Sequence, residues 1–203
     1  MHIAVTGNIG AGKTTLATKL AAHFGWEVLF EAVEGNPYLA DFYEDMPRWA
    51  FHLQIYFLKS RYEQVLQIQK SNKRIIQDRT IYEDAHIFAA NLHKSGVMSS
   101  ADYETYKGIF DLMMTTIKAP DLTVYLKADL PKLVQQIQKR GRSFESSISE
   151  QYLSDLNQHY ADFIDNYKDG KLLVIDVNNL DYLSNEADLA FVIQEVDKAL
   201  LYA

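Results

Sequence analysis

Residues Gly7 to Thr14 read Gly-Asn-Ile-Gly-Ala-Gly-Lys-Thr, close behind the run His2–Val5 and directly ahead of an amphipathic stretch. No other feature of the chain constrains its fold as strongly. A strand must deliver the backbone into a glycine-rich turn, and a helix must leave it. Gly7, Gly10 and Gly12 can take backbone geometries barred to other residues, which lets successive N–H groups face inward around an anion. Lys13 then reaches the outer phosphates of a nucleotide, and the Thr14 hydroxyl can hold Mg²⁺. The positive end of the helix beginning near Gly12 faces the same charge. Nucleotide phosphate binding follows from this loop; the use made of the phosphate must come from the rest of the chain.

Short β-rich runs recur at Ile3–Thr6, Glu27–Phe30, Arg74–Gln77, Leu122–Leu126 and Leu172–Ile175. Helical patterns fill the intervals: Gly12–Phe24, Arg48–Ser71, Tyr82–His93, Ser100–Lys118, Leu130–Lys139, Ser149–Tyr167 and Glu186–Leu200. This alternation predicts an α/β fold of three layers, a five-stranded parallel sheet flanked by helices. The runs are apolar almost throughout, as strands covered on both faces are. Ser99 and Ser100, followed by Asp102 and Glu104, mark a helix start. No repeat or Pro/Gly-rich linker interrupts the 203 residues, so 1–203 reads as one phosphate-loop domain.

A net charge of −7 argues against an extended nucleic-acid footprint, which needs a basic face. Cysteine is absent, which removes disulfides, thiolate metal sites and a cysteine nucleophile and agrees with a reducing compartment. No apolar run approaches the length of a membrane span or a signal peptide. The expectation is a cytoplasmic protein. The histidines, His86 and His93 among them, show no metal-ligand spacing beside a carboxylate cluster, so zinc is not expected and those two should face solvent.

Glu31 falls at the carboxyl end of the second strand, where an open parallel sheet binds its ligand. It can serve as a general base toward an attacking hydroxyl, or stand as a strand-end carboxylate in water. Glu34 competes less well for the same role. Asp78-Arg79 ends the third strand beside the same crevice: the acid suits a Mg²⁺ partner and the arginine can neutralise phosphate charge, unless the pair is only a helix cap. Gln54 and Arg61 share one face of a long helix two turns apart, and an amide with a planar fork suits a planar heterocycle. Asp84 and Phe88 on the next helix can supply Arg61's counter-charge and a stacking surface. In Lys139–Glu145 the helix breaks at Gly141 with Arg140 and Arg142 around it, either a lid over the phosphoryl group or a solvated basic loop.

Together these pieces resemble the deoxynucleoside kinase family, in particular its bacterial deoxyadenosine/deoxyguanosine kinase branch, over nearly the whole chain. The resemblance rests on the glycine loop through Thr15, Glu31-Ala-Val, Arg48-Trp49…Gln54…Arg61, Asp78-Arg79-Thr80-Ile-Tyr-Glu-Asp84 and Arg140-Gly-Arg142…Glu145. It implies ATP-dependent phosphorylation of a deoxynucleoside 5′-hydroxyl, with Glu31 as base and Arg79 as its partner near the phosphates. ATP would lie on Gly7, Asn8, Ile9, Gly10, Ala11, Gly12, Lys13, Thr14 and Thr15, under Arg140 and Arg142. Gln54, Arg61 and Asp84 would read the nucleobase, Phe88 would pack on it, and Tyr43 and Glu145 would hold the sugar 3′-hydroxyl. Thr14 and Asp78 would serve Mg²⁺, and the active unit would be a homodimer.

Three positions depart from the family pattern: Ala32 where proline is common, Leu53 where relatives carry an aromatic, and Gln136 where some have an arginine near the donor. The charged Arg61/Asp84 pair favours purine deoxynucleosides, then deoxycytidine. The rival is a nucleoside monophosphate kinase of thymidylate-kinase type, which would want more arginines and no base at Glu31. A GTP-dependent switch would need Asn-Lys-x-Asp, which the chain lacks.

Overall fold

The computed structural model of the chain describes residues 1–30, 35–142, 145 and 148–201. Its spine is a five-stranded parallel sheet: β1 (His2–Gly7), β2 (Glu27–Leu29), β3 (Ile75–Asp78), β4 (Leu122–Lys127) and β5 (Leu172–Asp176), in the order β2-β3-β1-β4-β5. The expected architecture is therefore present. β1 occupies the centre, with Ile3, Ala4 and Val5 fully buried, as a strand covered on both faces requires.

Alternate side chains of β4 show how the layers are divided. Val124 joins one apolar cluster with Leu16 and Leu20 of α1 (Lys13–Phe24) and Val192 and Val196 of α9 (Glu186–Leu201). Tyr125, pointing the other way, packs with Leu156 and Tyr160 of α8 (Glu150–Asp165). On that second face lie α3 (Met46–Lys70) and α6 (Ser100–Met114), joined through Leu58, Tyr106 and Phe110. α7 (Leu130–Arg140) sends Leu133 into the first cluster and presses on the glycine loop, since a Cβ at Gly10 would lie 2.7 Å from Leu133 O.

Local chemistry sets the boundaries. α1 starts at Lys13 rather than Gly12, because Gly12 sits at φ 92, outside helical geometry, and Gly25 closes the helix at φ 67. α3 begins at Met46, before the predicted Arg48; the Asp45 side chain accepts from Arg48 N–H and Pro47 fits the first turn. Ser99 and Ser149 cap α6 and α8 in the same way. A short helix, α2 (Leu39–Glu44), was not foreseen; it packs Phe42 into a cluster with Leu53 of α3.

The largest departure falls in the predicted helix Tyr82–His93. The chain there is α4 (Ile81–Glu83), a π-helical turn over Asp84–Ala89, and α5 (Ala90–Lys94). His86 is exposed, as expected, although its ring stacks on Phe163 at 5.5 Å and partial loss of hydration lowers its pKa; His93 is instead half-buried and stacks on Tyr103 at 4.4 Å. Among the described residues, no helix is long and apolar enough to cross a membrane.

Gly12 offers a direct test of the loop. A Cβ there would lie 2.1 Å from Tyr182 Oη, itself donating to Ala11 O at 3.0 Å, and φ is 92. Gly12→Ala is expected to cost about 2 kcal/mol or more in urea unfolding and to weaken ATP binding. Gly25→Ala has the same kind of φ but open space, so it should cost about 1 kcal/mol and leave ATP affinity unchanged.

Candidate active site

The carboxyl ends of the strands open on a cavity of about 610 Å³. Its wall includes Lys13 and Thr14, where α1 begins, and Gln54, Leu53 and Phe57 of α3, with Asp84 and Phe88 of the π-helical turn. Asp78 and Arg79 line it too, and Arg140, Arg142 and Glu145 approach from the end of α7. Tyr43 and Phe42 of α2 complete the apolar side.

The loop is braced from several directions. Lys13 Nζ donates to Asn8 O at 3.0 Å. The Asn8 side chain donates to Leu153 O at 2.9 Å and to Asn157 Oδ1 at 2.7 Å, and accepts from Ile9 N–H at 2.7 Å. Asn8 thus contributes its backbone to the cradle while its amide anchors α8. Thr14 is exposed and Thr15 half-buried. The Thr14 hydroxyl donates to Asp78 Oδ2, so the two oxygens expected to serve Mg²⁺ are adjacent. Hard oxygen donors suit that ion, and Mg²⁺ characteristically completes its shell with phosphates and water. Among the described residues no cluster of three His, Cys, Asp or Glu forms a protein-only cage.

β1 and β3 run side by side with Val5 opposite Asp78, which brings the loop and the Asp78-Arg79 segment together at the carboxyl ends of the strands. Arg79 takes φ 73, rare for a residue with a side chain and worth about 1–3 kcal/mol of strain. Its N–H donates to Val5 O at 2.9 Å, and its guanidinium lies 4.5 Å over the Phe88 ring. Phe88 therefore supports Arg79 as well as bordering the cavity.

Arg61 and Asp84 pair as expected, Nε to Oδ2 at 3.4 Å, with both side chains almost fully buried. Only Asp84 borders the cavity. Arg61 stands behind it, donating also to Asp78 O at 3.0 Å. Gln54 is 4% exposed, and its Oε1 has no hydrogen-bond partner among the described residues. A buried amide oxygen left in this state is costly unless a ligand completes it. Glu145 is engaged by the lid: Arg140 grips it with Nε at 3.0 Å and Nη2 at 2.6 Å, and Arg142 Nη1 lies 3.5 Å away. Gln136 is half-buried on α7.

Glu31, Ala32 and Glu34 lie outside the described residues. Their approach is visible: β2 ends at Leu29, Phe30 borders the cavity, and Phe30 O accepts from Gln64 Nε2 at 2.6 Å. Several contributors were not singled out from the sequence. Glu83 and Tyr160 are fully buried beneath Arg79, and Tyr152 of α8 borders the cavity, its pKa raised by loss of hydration. Thr80 followed by Glu83 is a capping-box pattern that could have revealed Glu83; the tyrosines carry no comparable local signal.

A family model described as deoxynucleoside kinase matches residues 3–201. The chain is 36% identical over 196 residues to the deoxyadenosine/deoxycytidine kinase of Bacillus subtilis, covering 96% of this chain and 90% of that one. It is 34% identical over 203 residues to the deoxyguanosine kinase of the same organism, covering 98% and 97%. A solved structure of deoxyadenosine kinase from M. mycoides, with the products dCMP and a flexible dCDP bound, superposes with a TM-score of 0.86. That pair is 31% identical and covers 98% of this chain and 100% of the other.

Arg61→Ala would leave the Asp84 carboxylate buried without its counter-charge. Urea unfolding should show a loss of about 3–5 kcal/mol. Arg61→Ala combined with Asp84→Ala should recover part of that loss; strictly additive losses would mean the pair is not coupled.

Proposed function

The chain belongs to the deoxynucleoside kinase family, and on that basis we propose how its site works. It transfers the γ-phosphoryl group of ATP to the 5′-hydroxyl of a deoxynucleoside, deoxyadenosine or deoxyguanosine ahead of deoxycytidine, giving the monophosphate. One observation carries the reading: a single cavity joins a phosphate cradle at Lys13 and Thr14 to a pocket end bordered by Gln54, Asp84 and Phe88. The cations on its described wall, Lys13, Arg79, Arg140 and Arg142, are those of the cradle, strand end and lid. The base end offers an amide, a carboxylate and a ring. That distribution suits one triphosphate and one uncharged acceptor better than two phosphorylated nucleotides.

Phosphoryl transfer asks little covalent chemistry of a protein, so positioning and charge neutralisation dominate. Glu31, directly after the cavity-lining Phe30, takes the proton of the 5′-hydroxyl. The Gly7 to Thr15 loop and the Lys13 ammonium hold the donor phosphates, while Arg79, Arg140 and Arg142 balance the charge that spreads in transfer. Thr14 and Asp78 would hold Mg²⁺, which when bound screens the phosphate oxygens. Gln54, backed by the Arg61–Asp84 pair, reads the edge of the base and Phe88 packs on its face. Tyr43 and Glu145 receive the sugar 3′-hydroxyl, an arrangement suited to deoxyribose. Glu145 shares its carboxylate with the lid arginines in doing so.

The purine preference draws support from relatives named for deoxyadenosine and deoxyguanosine, one of which is named also for deoxycytidine. The 1–203 chain acts as one domain, in the cytoplasm, as a homodimer. Leu112 on α6, 71% exposed, is an apolar side chain that such an interface would cover.

Glu31→Gln is expected to lower kcat by at least ~10²-fold while nucleoside binding persists, in line with loss of a general base. Retention of most turnover would remove Glu31 from the chemistry. In a coupled ADP-release assay with the four deoxynucleosides and their monophosphates, the nucleosides should be the acceptors. Asp84→Ala should reorder the kcat/KM values, and an unchanged order would dissociate Asp84 from base selection.

A further inference from the structure

Glu83 is fully buried and precedes the base-reading Asp84. Its Oε2 accepts from Thr80 N–H at 2.7 Å and from the Thr80 hydroxyl at 3.2 Å, while the Thr80 hydroxyl accepts from Glu83 N–H. These contacts form a capping box at the start of α4. A cap would need nothing more. The other oxygen, Oε1, faces away from the helix start into different company. It accepts from Gly7 N–H at 3.3 Å and from the Tyr160 hydroxyl at 2.7 Å, and lies 3.5 Å from Arg79 Nη1. The Tyr160 hydroxyl also lies 2.8 Å from Gly7 O and 3.3 Å from Arg79 Nη1.

One carboxylate therefore connects the first glycine of the phosphate cradle, the guanidinium beside the cavity and the buried face of α8. It does so where the backbone needs support, because Arg79 holds a positive φ that survives only when its surroundings over-determine it. Thr80 N–H, the next donor along the chain, is tied to Glu83; the Arg79 guanidinium is held between Glu83 and the Phe88 ring.

We propose that Glu83 is a positioning residue for phosphoryl transfer, setting the Arg79 guanidinium against the donor phosphates and fixing it to the first glycine of the cradle. The proposal rests on the assignment of Arg79 to the transfer step made above. Its loss is felt in turnover rather than in capture of the nucleoside, because none of its contacts reaches the base end of the cavity.

Glu83→Gln is the sharpest probe, being nearly isosteric. Both carboxylate oxygens face donors, so an amide must turn its NH₂ toward one set of them. Steady-state kinetics with deoxyadenosine and ATP would be measured for Glu83→Gln, Arg79→Ala and the double variant, with thermal unfolding alongside. We expect kcat to fall at least ~30-fold in Glu83→Gln with KM for deoxyadenosine within ~3-fold, and the double variant to be no slower than Arg79→Ala alone. A kcat close to wild type with only a lowered Tm would reduce Glu83 to a helix cap. Losses that multiply in the double variant would mean that Glu83 acts independently of Arg79, overturning the proposal. Should Glu83→Gln fail to fold, Tyr160→Phe removes the bridging hydroxyl while keeping the ring. A ~3- to 10-fold lower kcat then supports the network, and wild-type kinetics overturn it. Arg79→Ala on its own separates the two readings. If it turns over normally, the catalytic assignment of Arg79 fails; if it is slow while Glu83→Gln is not, only the role of Glu83 fails.

Discussion

The exit of the central strand has room for backbone and for nothing else. At Gly7 the chain turns at φ 148, and a Cβ would meet Leu126 O of the neighbouring strand at 2.9 Å. At Gly10 the same atom would meet α7. The cradle is thus formed by the sheet on one side and a helix on the other, both pressed too close for side chains. Because β1 lies between β3 and β4, the carboxyl end of β3 is its immediate neighbour, and Asp78 and Arg79 come to the cradle by strand register alone. The remaining parts of the cavity, α2, α3, the π-helical turn and the lid, are hung on that edge. A parallel sheet with its ligand outside the strand ends is the general solution of this fold class.

Burial of charge then decides which residues can move. Arg61, Asp84, Glu83 and Arg79 are all withdrawn from water and held in pairs, which makes each difficult to displace singly. Arg140 and Arg142 are different. Their side chains are 34% and 40% exposed while the Glu145 carboxylate between them is nearly covered, so the lid is held by contacts that solvent can compete for. The deeply buried charges belong to the strand end and the helices beside it, the more exposed ones to the end of α7 and the segment after it.

The sheet and the phosphate loop were legible because their signals are local: apolar runs of strand length, and glycines at fixed spacing. The cap residues Ser99 and Ser149 and the stop at Gly141 belong to the same kind of information. Many of the residues read as a candidate site do border one cavity, but their geometry was less legible. Spacing placed Gln54 and Arg61 on one helix face, yet packing put Gln54 at the cavity and Arg61 behind Asp84. The side chain of Asn8 was turned toward α8 by Asn157, a partner 149 positions away that no local pattern announces. Helix α2 is too short to establish a period. Glu83 and Tyr160 matter through contacts between distant segments, and composition is blind to those.

The wide turn over Asp84–Ala89 has its own consequence for how such a chain can change. A π-helical turn accommodates an extra residue inside an otherwise α-helical run and is found at functional sites for that reason. Deleting a single residue there would let ordinary α-helical winding resume while leaving the two flanks close to their present directions. What would change is the angular spacing of Asp84 and Phe88, the two residues of the turn that border the cavity. The wide turn is thus a place where the length of this segment can change by one residue without redirecting α4 and α5 on either side.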